Sequence, residues 1–596
     1  MNRLVSLLRL ASLMLCAALL SPSANATTYY VATTGSDSNP GAQAKPFQTI
    51  GKAVTISATG DTVLVTNGIY TGAGNYNIDL GAKDLVVKSV SGNPANCVID
   101  CQQVGCAFIL QNNQTTKSNI AGFTIENGTG YNVYGDNIGG GICIAFGNLS
   151  PVVSNCVFIG NTANVSGGGM SGGTATNCTF TGNSAMYGYG GGMADGTAID
   201  CTFTGNKADG GGGMANGTAF DCTFTHNFGR SGGGMSGGTA TNCIFFNNAV
   251  TGSSGSMGST YGGGGMSGGT ATNCAFTGNS STYGVGGGMF GGTATNCTFF
   301  NNAVTGNSSI GGGAYNTFLY CCTLVGNFAQ SMGGGLSLYN SSATNCIVWG
   351  NIAVMSSSNV DSNGGITYSD IQGGYSGAGN INSDPLFVNQ TSGNLHLKAS
   401  SPCINAATST VPTSPIGNIF TFPTTDLDGG KRTIGVAPDM GAYEYGNVGV
   451  FGTLAFDSIS SLAPAQNVTF QFRPVGGGAA INQTYLTTSD GAFYFYGIPD
   501  GAYNLWVKSP TYLSALVPVT VTGGVASITA TLEPGDANND NSVDSTDFGI
   551  LIGAFGSDAS IPGSGYVAGA DFNGDGSVDS TDFGLLIGNF NTVGDQ

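Results

Sequence analysis

Near the end of the chain, oxygen-bearing residues are spaced as two copies of one calcium loop. The first copy sets Asp536, Asn538, Asp540, Asp544 and Asp547 at loop positions 1, 3, 5, 9 and 12, with the Ser542 carbonyl at position 7. The second repeats it with Asp571, Asn573, Asp575, Asp579 and Asp582, and Ser577 at position 7. Ca²⁺ takes about six to eight hard oxygen ligands, and this spacing wraps them around one ion per loop, two ions in all. Gly576 holds the sharp turn of the second loop. Asn541 replaces it in the first and tolerates the left-handed conformation. Each loop runs into an apolar segment, Phe548–Phe555 and Phe583–Phe590, that reads as a short helix. Residues 535–596 hold ten Asp and no Lys or Arg, but a chance acidic stretch does not repeat such a pattern.

A second group of chemically capable residues lies in the middle of the chain. Between Asp136 and Asp361 the charged side chains are Asp195, Asp200, Lys207, Asp209, Asp221 and Arg230, joined by His226, one of two histidines. Paired carboxylates equip glycoside hydrolases, and a Lys or Arg base beside a calcium-binding Asp equips polysaccharide lyases. Distance weighs against both. Asp200 and Lys207 stand roughly 23 Å apart along an extended strand, and Asp221 and His226 ~16 Å apart. The structural reading is that Asp200 and Asp221 replace an Asn that precedes a repeated Cys. Asp209 and Arg230 share one repeat position and pair between neighbouring coils, an exposed bridge worth under ~1 kcal/mol.

Both groups must be positioned by a chain of unusual composition. Only 8% of its 596 residues are charged and 102 are Gly, while Phe, Tyr and Trp number 32, 23 and 2. Disorder goes with high charge and few aromatics, so this composition reads as repetitive β structure. A net charge of −18 argues against nucleic acid, because phosphate binding needs clustered Lys and Arg. Residues 1–26 read as a signal peptide, with Arg3 and Arg9, an apolar run from Leu10 to Leu20, and the small-x-small site Ala24-Asn25-Ala26. That run is too short to span a bilayer, and no later stretch is long enough. The expected location is secreted or at the bacterial cell surface, with no transmembrane segment in the mature chain.

The repeat sets the architecture. Cys156, Cys178, Cys201, Cys222, Cys243, Cys274, Cys297, Cys322 and Cys346 follow one another at intervals of 22, 23, 21, 21, 31, 23, 25 and 24. Five residues after each comes an Asn, from Asn161 and Asn183 through to Asn351. Before each stands a Gly triplet and an apolar residue such as Met170, Met193, Met214 or Met235. This period is too short for paired-helix repeats, and Gly, Thr and Asn are poor helix formers. In Cys178-Thr179-Phe180 the apolar residues alternate, so Cys and Phe point inward from a strand and Thr outward. The Asn residues stack as a ladder at the following turn, with coils ~4.8 Å apart. Stacked cysteines admit two readings, bridged thiols or a buried column of free ones, and the second needs no bond to explain it. Cys97, Cys101, Cys106, Cys143 and Cys403 are the better disulfide candidates.

The Gly-Gly-Gly-Met and Phe-x-x-Asn units (Phe158 to Asn161, Phe180 to Asn183, Phe203 to Asn206, Phe224 to Asn227) resemble the GGAI and FxxN repeats of polymorphic outer membrane proteins. That resemblance implies a right-handed parallel β-helix, often adhesive. Tyr30-Val31 to Ile50 resembles the opening of secreted bacterial β-helix proteins, implying a cap, a helix near Ile50–Ser57 and a strand at Asp61–Thr66. Asp384-Pro385-Leu386-Phe387, Asp426-Leu427-Asp428-Gly429 and Asp439-Met440-Gly441-Ala442-Tyr443-Glu444 resemble the closing segment of the choice-of-anchor Q family, which implies surface display and no reaction. The duplicated loop-plus-helix resembles type I dockerin, which docks enzymes to cohesins. Ser545-Thr546 and Ser580-Thr581 match its recognition pair, while Ile552-Gly553 and Ile587-Gly588 stand where basic residues are usual.

Alternating stretches such as Val468–Phe472 and Tyr503–Val507, with turns at Asp490-Gly491 and Asp500-Gly501, read as a small antiparallel sandwich resembling carboxypeptidase-regulatory-like modules. The expected order is therefore a signal peptide (1–26), a capped parallel β-helix (27–446), a sandwich (447–533) and a dockerin-like module (534–596). The favoured function is a non-catalytic surface or secreted rod, adhesive or carbohydrate-contacting, on a calcium-binding tail that tethers or docks. The rival is a polysaccharide lyase or glycoside hydrolase delivered by its dockerin.

Overall fold

The computed structural model describes residues 26–596 apart from 113, 146–149, 252–261, 283, 308, 340, 357–358, 411–420, 447–449, 457–466, 487–490, 496–497, 523–525 and 558–565. The signal-peptide run and the Asp490 turn lie outside these residues. The chain forms two compact units. One runs to Tyr187 and takes in Gly191–Cys201; the other holds Gly188–Gly190 and Thr202–Gln596.

In the first unit, the helix Ile50–Ile56 buries Ile50, Ala53 and Val54 and is N-capped by Thr49, whose side chain accepts from the Lys52 N–H at 3.2 Å. The strand Thr62–Val65 follows, close to the expected position, and pairs in parallel with Thr28–Val31 and Val86–Ser89. Coils then recur as parallel pairings. Val152–Ser154 pairs with Thr174–Thr176, Val157–Ile159 with Thr179–Thr181, and Ile142–Ile144 with Met170–Ser171. The second unit repeats the scheme with constant phase, as in Thr202↔Thr223↔Ile244↔Ala275↔Thr298↔Thr323↔Ile347. Long parallel sheets of short strands, nearly all of two to four residues, make this a parallel β-helix.

One coil shows why each residue type recurs. Gly232 has φ +66°, the left-handed region. A Cβ on Gly233 would lie 2.5 Å from the Gly264 carbonyl of the next coil, and one on Gly234 2.7 Å from the Phe245 ring. Met235 and Ala240 then point inward, and Asn242 turns the corner at φ +53°. Cys243 is buried at that corner, immediately before the strand Ile244–Phe246 rather than inside it. Phe245 stacks on Phe224 at 4.9 Å and on Phe276 at 4.6 Å, with interplanar angles of 5° and 4°. Those separations are the coil rise, so the stacking follows from the backbone.

Asn248 completes the coil. Its Oδ1 accepts from the Asn227 N–H at 3.0 Å and from Asn227 Nδ2 at 2.9 Å. Its Nδ2 donates to the Phe224 carbonyl at 2.8 Å and to Asn279 Oδ1 at 2.9 Å. All four hydrogen bonds of the amide are made, which is what a fully buried Asn needs. The same set recurs at Asn279, Asn302 and Asn327, and the ladder closes on Asn351, Asn359 and Gln372.

All fifteen described cysteines are buried free thiols, including Cys97, Cys101, Cys106, Cys143 and Cys403. The disulfide expectation for those five is therefore overturned. Three of them bond locally: Cys97 donates to the Thr66 carbonyl at 3.5 Å, Cys106 to the Phe108 carbonyl at 3.4 Å and Cys403 to Asp370 Oδ2 at 3.2 Å. Burial pushes the thiols of Cys97, Cys101 and Cys143 up to about 12.

The segment after the last coil is pinned by buried carboxylates that accept backbone N–H groups. Asp426 takes Gly430 and Glu444 at 2.8 and 2.9 Å; Glu444 takes Ile434 and Asp439 at 3.1 and 2.9 Å; Asp439 takes Asn405 and Tyr445 at 2.7 and 2.6 Å. Arg432 is buried and donates through Nη2 to the Asp439 and Gly441 carbonyls. His396 Nε2 lies 2.6 Å from Asp428 Oδ2, with its ring 4.2 Å from Tyr443.

Among the described residues, the sandwich has seven strands. Ile481–Leu486, Asn467–Pro474, Gly501–Lys508 and Ala515–Val521 form an antiparallel sheet in that order. The second sheet adds a parallel pair, Val450–Phe456 beside Ala526–Leu532, with Ala492–Phe495 antiparallel to the former. Phe470, Phe472, Phe493 and Leu505 fill the space between.

Two predictions follow from these contacts. Asn279→Ala strands the Asn248 N–H and Nδ2 and the Phe245 carbonyl and removes one donor from Asn302 Oδ1, and should destabilise by on the order of 3 kcal/mol or more, read by denaturant unfolding. The second concerns pH. Burial raises the Asp426 and Glu444 carboxyls to about 7. Burial disfavours charge on His396, yet Asp428 overrides it and lifts the imidazole above its ordinary value. All three folded pKa values exceed the unfolded ones, so their stabilisation is greatest in acid and is lost as pH rises. The loss runs from about 4 to about 7 for the carboxyls and from about 6.5 upward for His396. Protection factors of residues 421–446, from hydrogen exchange corrected for its base catalysis, should therefore fall between pH of about 5 and about 8; a flat profile, or opening in acid, would contradict it.

Candidate functional site

The C-terminal module is built from its two loops. The helix Ser545–Ala554 is N-capped by Asp544, and Asp547 returns the bond in a capping box; Asp579 and Asp582 do the same for Ser580–Gly588. Position 12 of each loop is thus also the N3 residue of the helix that follows it. Leu551, Ala554, Leu585 and Leu586 pack with Val543, Phe572 and Val578, and Leu513 enters the same core from the strand connection of the sandwich.

Asp536, Asp547 and Asp582 are fully buried and Asp571 nearly so. In the first loop, Asp536 accepts from the Asp540 and Asn541 N–H groups, both at 2.9 Å, and Asp547 from those of Asn538 and Asp544 at 3.1 and 2.8 Å. In the second, Asp571 accepts from Asp575 and Gly576 at 3.2 and 2.9 Å, and Asp582 from Phe572 and Asp579 at 2.7 and 2.9 Å. Asn541 takes φ +69°, the role expected for it in place of glycine. Burial holds the Asp536, Asp571 and Asp582 carboxyls above the usual carboxylate range.

The donors fit calcium in kind: hard oxygens throughout, with buried carboxylates whose charge a divalent cation would neutralise. Among the described residues, no three His, Cys, Asp or Glu side chains are gathered as a finished metal set. Asn538, Asn573 and the backbone carbonyls of Ser542 and Ser577 make up the remainder of each loop's oxygens.

Two groups around the loops have no forewarning in the calcium spacing. Lys508 Nζ lies 2.9 Å from Asp536 Oδ2, and the Tyr566 hydroxyl donates to Asp571 Oδ2 at 2.7 Å. Burial lowers the Lys508 pKa, against the pull of Asp536. Its only sequence trace is scarcity: Arg473 and Lys508 are the sole basic residues after position 449.

On the exposed side, the two helices present matching residues. Ser545, Thr546, Ile552, Gly553 and Phe555 are exposed on one, and Ser580, Thr581, Ile587, Gly588 and Phe590 on the other.

The charged window of the coils is arranged differently. Asp195 and Asp200 are exposed corner residues at φ +54° and +52°. In the second unit, Arg230 Nε and Asp209 Oδ1 form the ion pair that the repeat implies, at 3.2 Å and well exposed. Asp221, at the corner before Cys222, accepts from Asn242 Nδ2 at 3.0 Å. His226, at the next corner (φ +52°), has Nε2 3.5 Å from Asn247 Nδ2 and meets Phe246 edge-on. Lys207 is exposed at the start of the strand Lys207–Gly210. Asp221 and His226 are thus divided by the strand Thr223–Thr225, and Arg230 lies beyond a further strand, Phe228–Gly229.

Comparisons with known proteins match two stretches. Residues 534–591 match the family described as Dockerin type I domain, and residues 33–95 one described as a protein of unknown function, DUF1565. No curated protein matches the chain. Among solved structures, a type II cohesin–X-dockerin complex from Acetivibrio cellulolyticus is 24% identical over 25% of this chain and 97% of its own, at a TM-score of 0.21. Pectate lyase Pel9A is 15% identical over 70% of this chain and 96% of its own, at 0.32. The A-module of Azotobacter vinelandii mannuronan C-5 epimerase AlgE4 is 13% identical over 54% and 91%, at 0.28. TM-scores this low say nothing of activity. Among the described residues, no helix is long and apolar enough to cross a membrane. Dockerin type I domains bind calcium, and residues 534–591 supply a domain of that type at the C-terminal end of a chain that also holds a parallel β-helix.

Proposed function

We propose that this chain is an exported, non-catalytic β-helix protein that docks to a cohesin-like partner through its calcium-loaded C-terminal module. Two ions are assigned, one held by Asp536, Asn538, Asp540, Ser542, Asp544 and Asp547, the other by Asp571, Asn573, Asp575, Ser577, Asp579 and Asp582. The β-helix (27–446) contacts glycans through its Thr-, Ser- and Asn-rich outer face, the sandwich (447–533) spaces it from the tail, and the protein acts in the secreted or cell-surface space.

One observation supports the non-catalytic half: Asp209, Arg230, Asp221 and His226 are engaged with neighbours at separate corners and strands of the coil. General acid–base work needs its groups within reach of one substrate bond. The docking half rests on the exposed Ser-Thr pairs of a dockerin domain. The apolar Ile552 and Ile587 in place of basic residues favour a cohesin face that is itself apolar.

The purified full chain, with calcium, should release no unsaturated or reducing ends from a panel of acidic and neutral polysaccharides; release would establish the enzyme reading instead. A cohesin panel should retain the chain in calcium and lose it in EGTA, and retention by none would sink the docking assignment. Arg230→Ala should change unfolding stability by under ~1 kcal/mol, as befits an exposed pair.

A further inference from the structure

The two loops are nearly alike in sequence and differ in what meets them. In the second, the position-1 carboxylate Asp571 receives a neutral donor, the Tyr566 hydroxyl. In the first, the equivalent Asp536 receives a cation from outside the module. Lys508 ends the sandwich strand Gly501–Lys508, and its side chain is 9% exposed while that of Asp536 is wholly buried. Besides Asp536, its ammonium donates to the Ser509 and Tyr512 carbonyls at 2.8 and 2.6 Å and to Asn539 Oδ1 at 2.7 Å. Four close oxygens occupy all three ammonium protons. Further bonds hold sandwich and loop together: the Ser514 N–H donates to Asn541 Oδ1 at 2.8 Å, and Trp506 Nε1 to the Asp595 carbonyl at 2.9 Å. Among the described residues, no Lys or Arg pairs with Asp571 or Asp582.

We propose that Lys508 is a positioning residue for the first calcium loop, a built-in cation that holds the loop in its bound-like shape when calcium is absent. The proposal rests on the calcium reading of the loops. A buried carboxylate without a counter-charge is strongly destabilising, whereas a buried pair with its hydrogen bonds complete persists. Asp536 has such a partner permanently, while the Asp571 carboxylate takes loop N–H groups and the Tyr566 hydroxyl, and the sandwich connection reaches the second loop through the neutral Tyr512 hydroxyl on the Phe572 carbonyl at 2.8 Å. The two sites are therefore not equivalent. The first is ordered with or without calcium because Lys508 supplies its charge, and the second, touched by neutral donors alone, is ordered by the ion.

Hydrogen exchange of the full chain, followed at residues 536–547 and 571–582 in EGTA and in calcium, tests this. In EGTA the wild-type second loop should exchange about tenfold faster than the first. Lys508→Met should accelerate the first loop to match the second, and calcium should slow both again; Lys508→Arg should restore wild-type behaviour. The proposal is overturned if Lys508→Met leaves the first loop unchanged in EGTA. It is equally overturned if the variant loosens both loops and the strand Gly501–Lys508 alike, with and without calcium. If calcium slows neither wild-type loop, the calcium reading fails, while the EGTA comparison still decides the role of Lys508.

Discussion

A side-chain amide that donates twice and accepts twice is the interaction on which the β-helix depends. Each buried Asn links its own coil to the coils on both sides, so the corner is held at one spacing along the array. That spacing brings the Phe rings face to face, an arrangement that aromatic pairs seldom choose on their own. It also brings successive backbones so close at the Gly triplet that no side chain fits. The Met, Cys and Phe columns are consequences of the same rise. Substituting Gln for Asn would keep the chemistry and lose the reach, which is why the residue type is constant.

The same geometry explains where charge is found. A charge repeated in register every coil would face its own kind at the coil rise, so ionisable groups enter the repeats only as isolated exceptions. Asp209 and Arg230 are tolerated because they are opposite in sign and exposed. Where carboxylates are buried, in the segment after the last coil and in the two acidic loops of the C-terminal module, each is held by at least two backbone N–H groups. Asp426, Glu444, Asp536 and Asp582 follow this one rule. It lets irregular chain be buried without leaving its N–H groups bare.

Much of this was legible from spacing. Alternation in Cys-x-Phe and the Asn five residues on sufficed for the coil, and the twelve-residue acidic pattern for the loops and their helices. What spacing could not supply was partnership across long separations. Lys508 meets Asp536 and His396 meets Asp428 because separate segments pack together, and no periodicity records that. Cysteine number suggested bridges at Cys97, Cys101, Cys106, Cys143 and Cys403, but each is buried singly as a free thiol. The parallel pair in the sandwich was likewise hidden, since alternation reports which face is buried and not which neighbour lies alongside.

Near-identical coils carry a hazard that their individual stability conceals. A strand of Thr-Ala-Thr or Thr-Phe-Thr meets almost the same partner if the stack slips by one whole coil, so the correct pairing is only weakly distinguished from its neighbours. The irregular coils are what break this degeneracy. The Asp209–Arg230 pair, the Phe318–Tyr320 strand in place of Thr-Ala-Thr, and the unequal coil lengths each fit one address along the array. Seen this way, the exceptions in the repeat are its page numbers, and a perfectly regular version of this protein would be stable in too many ways.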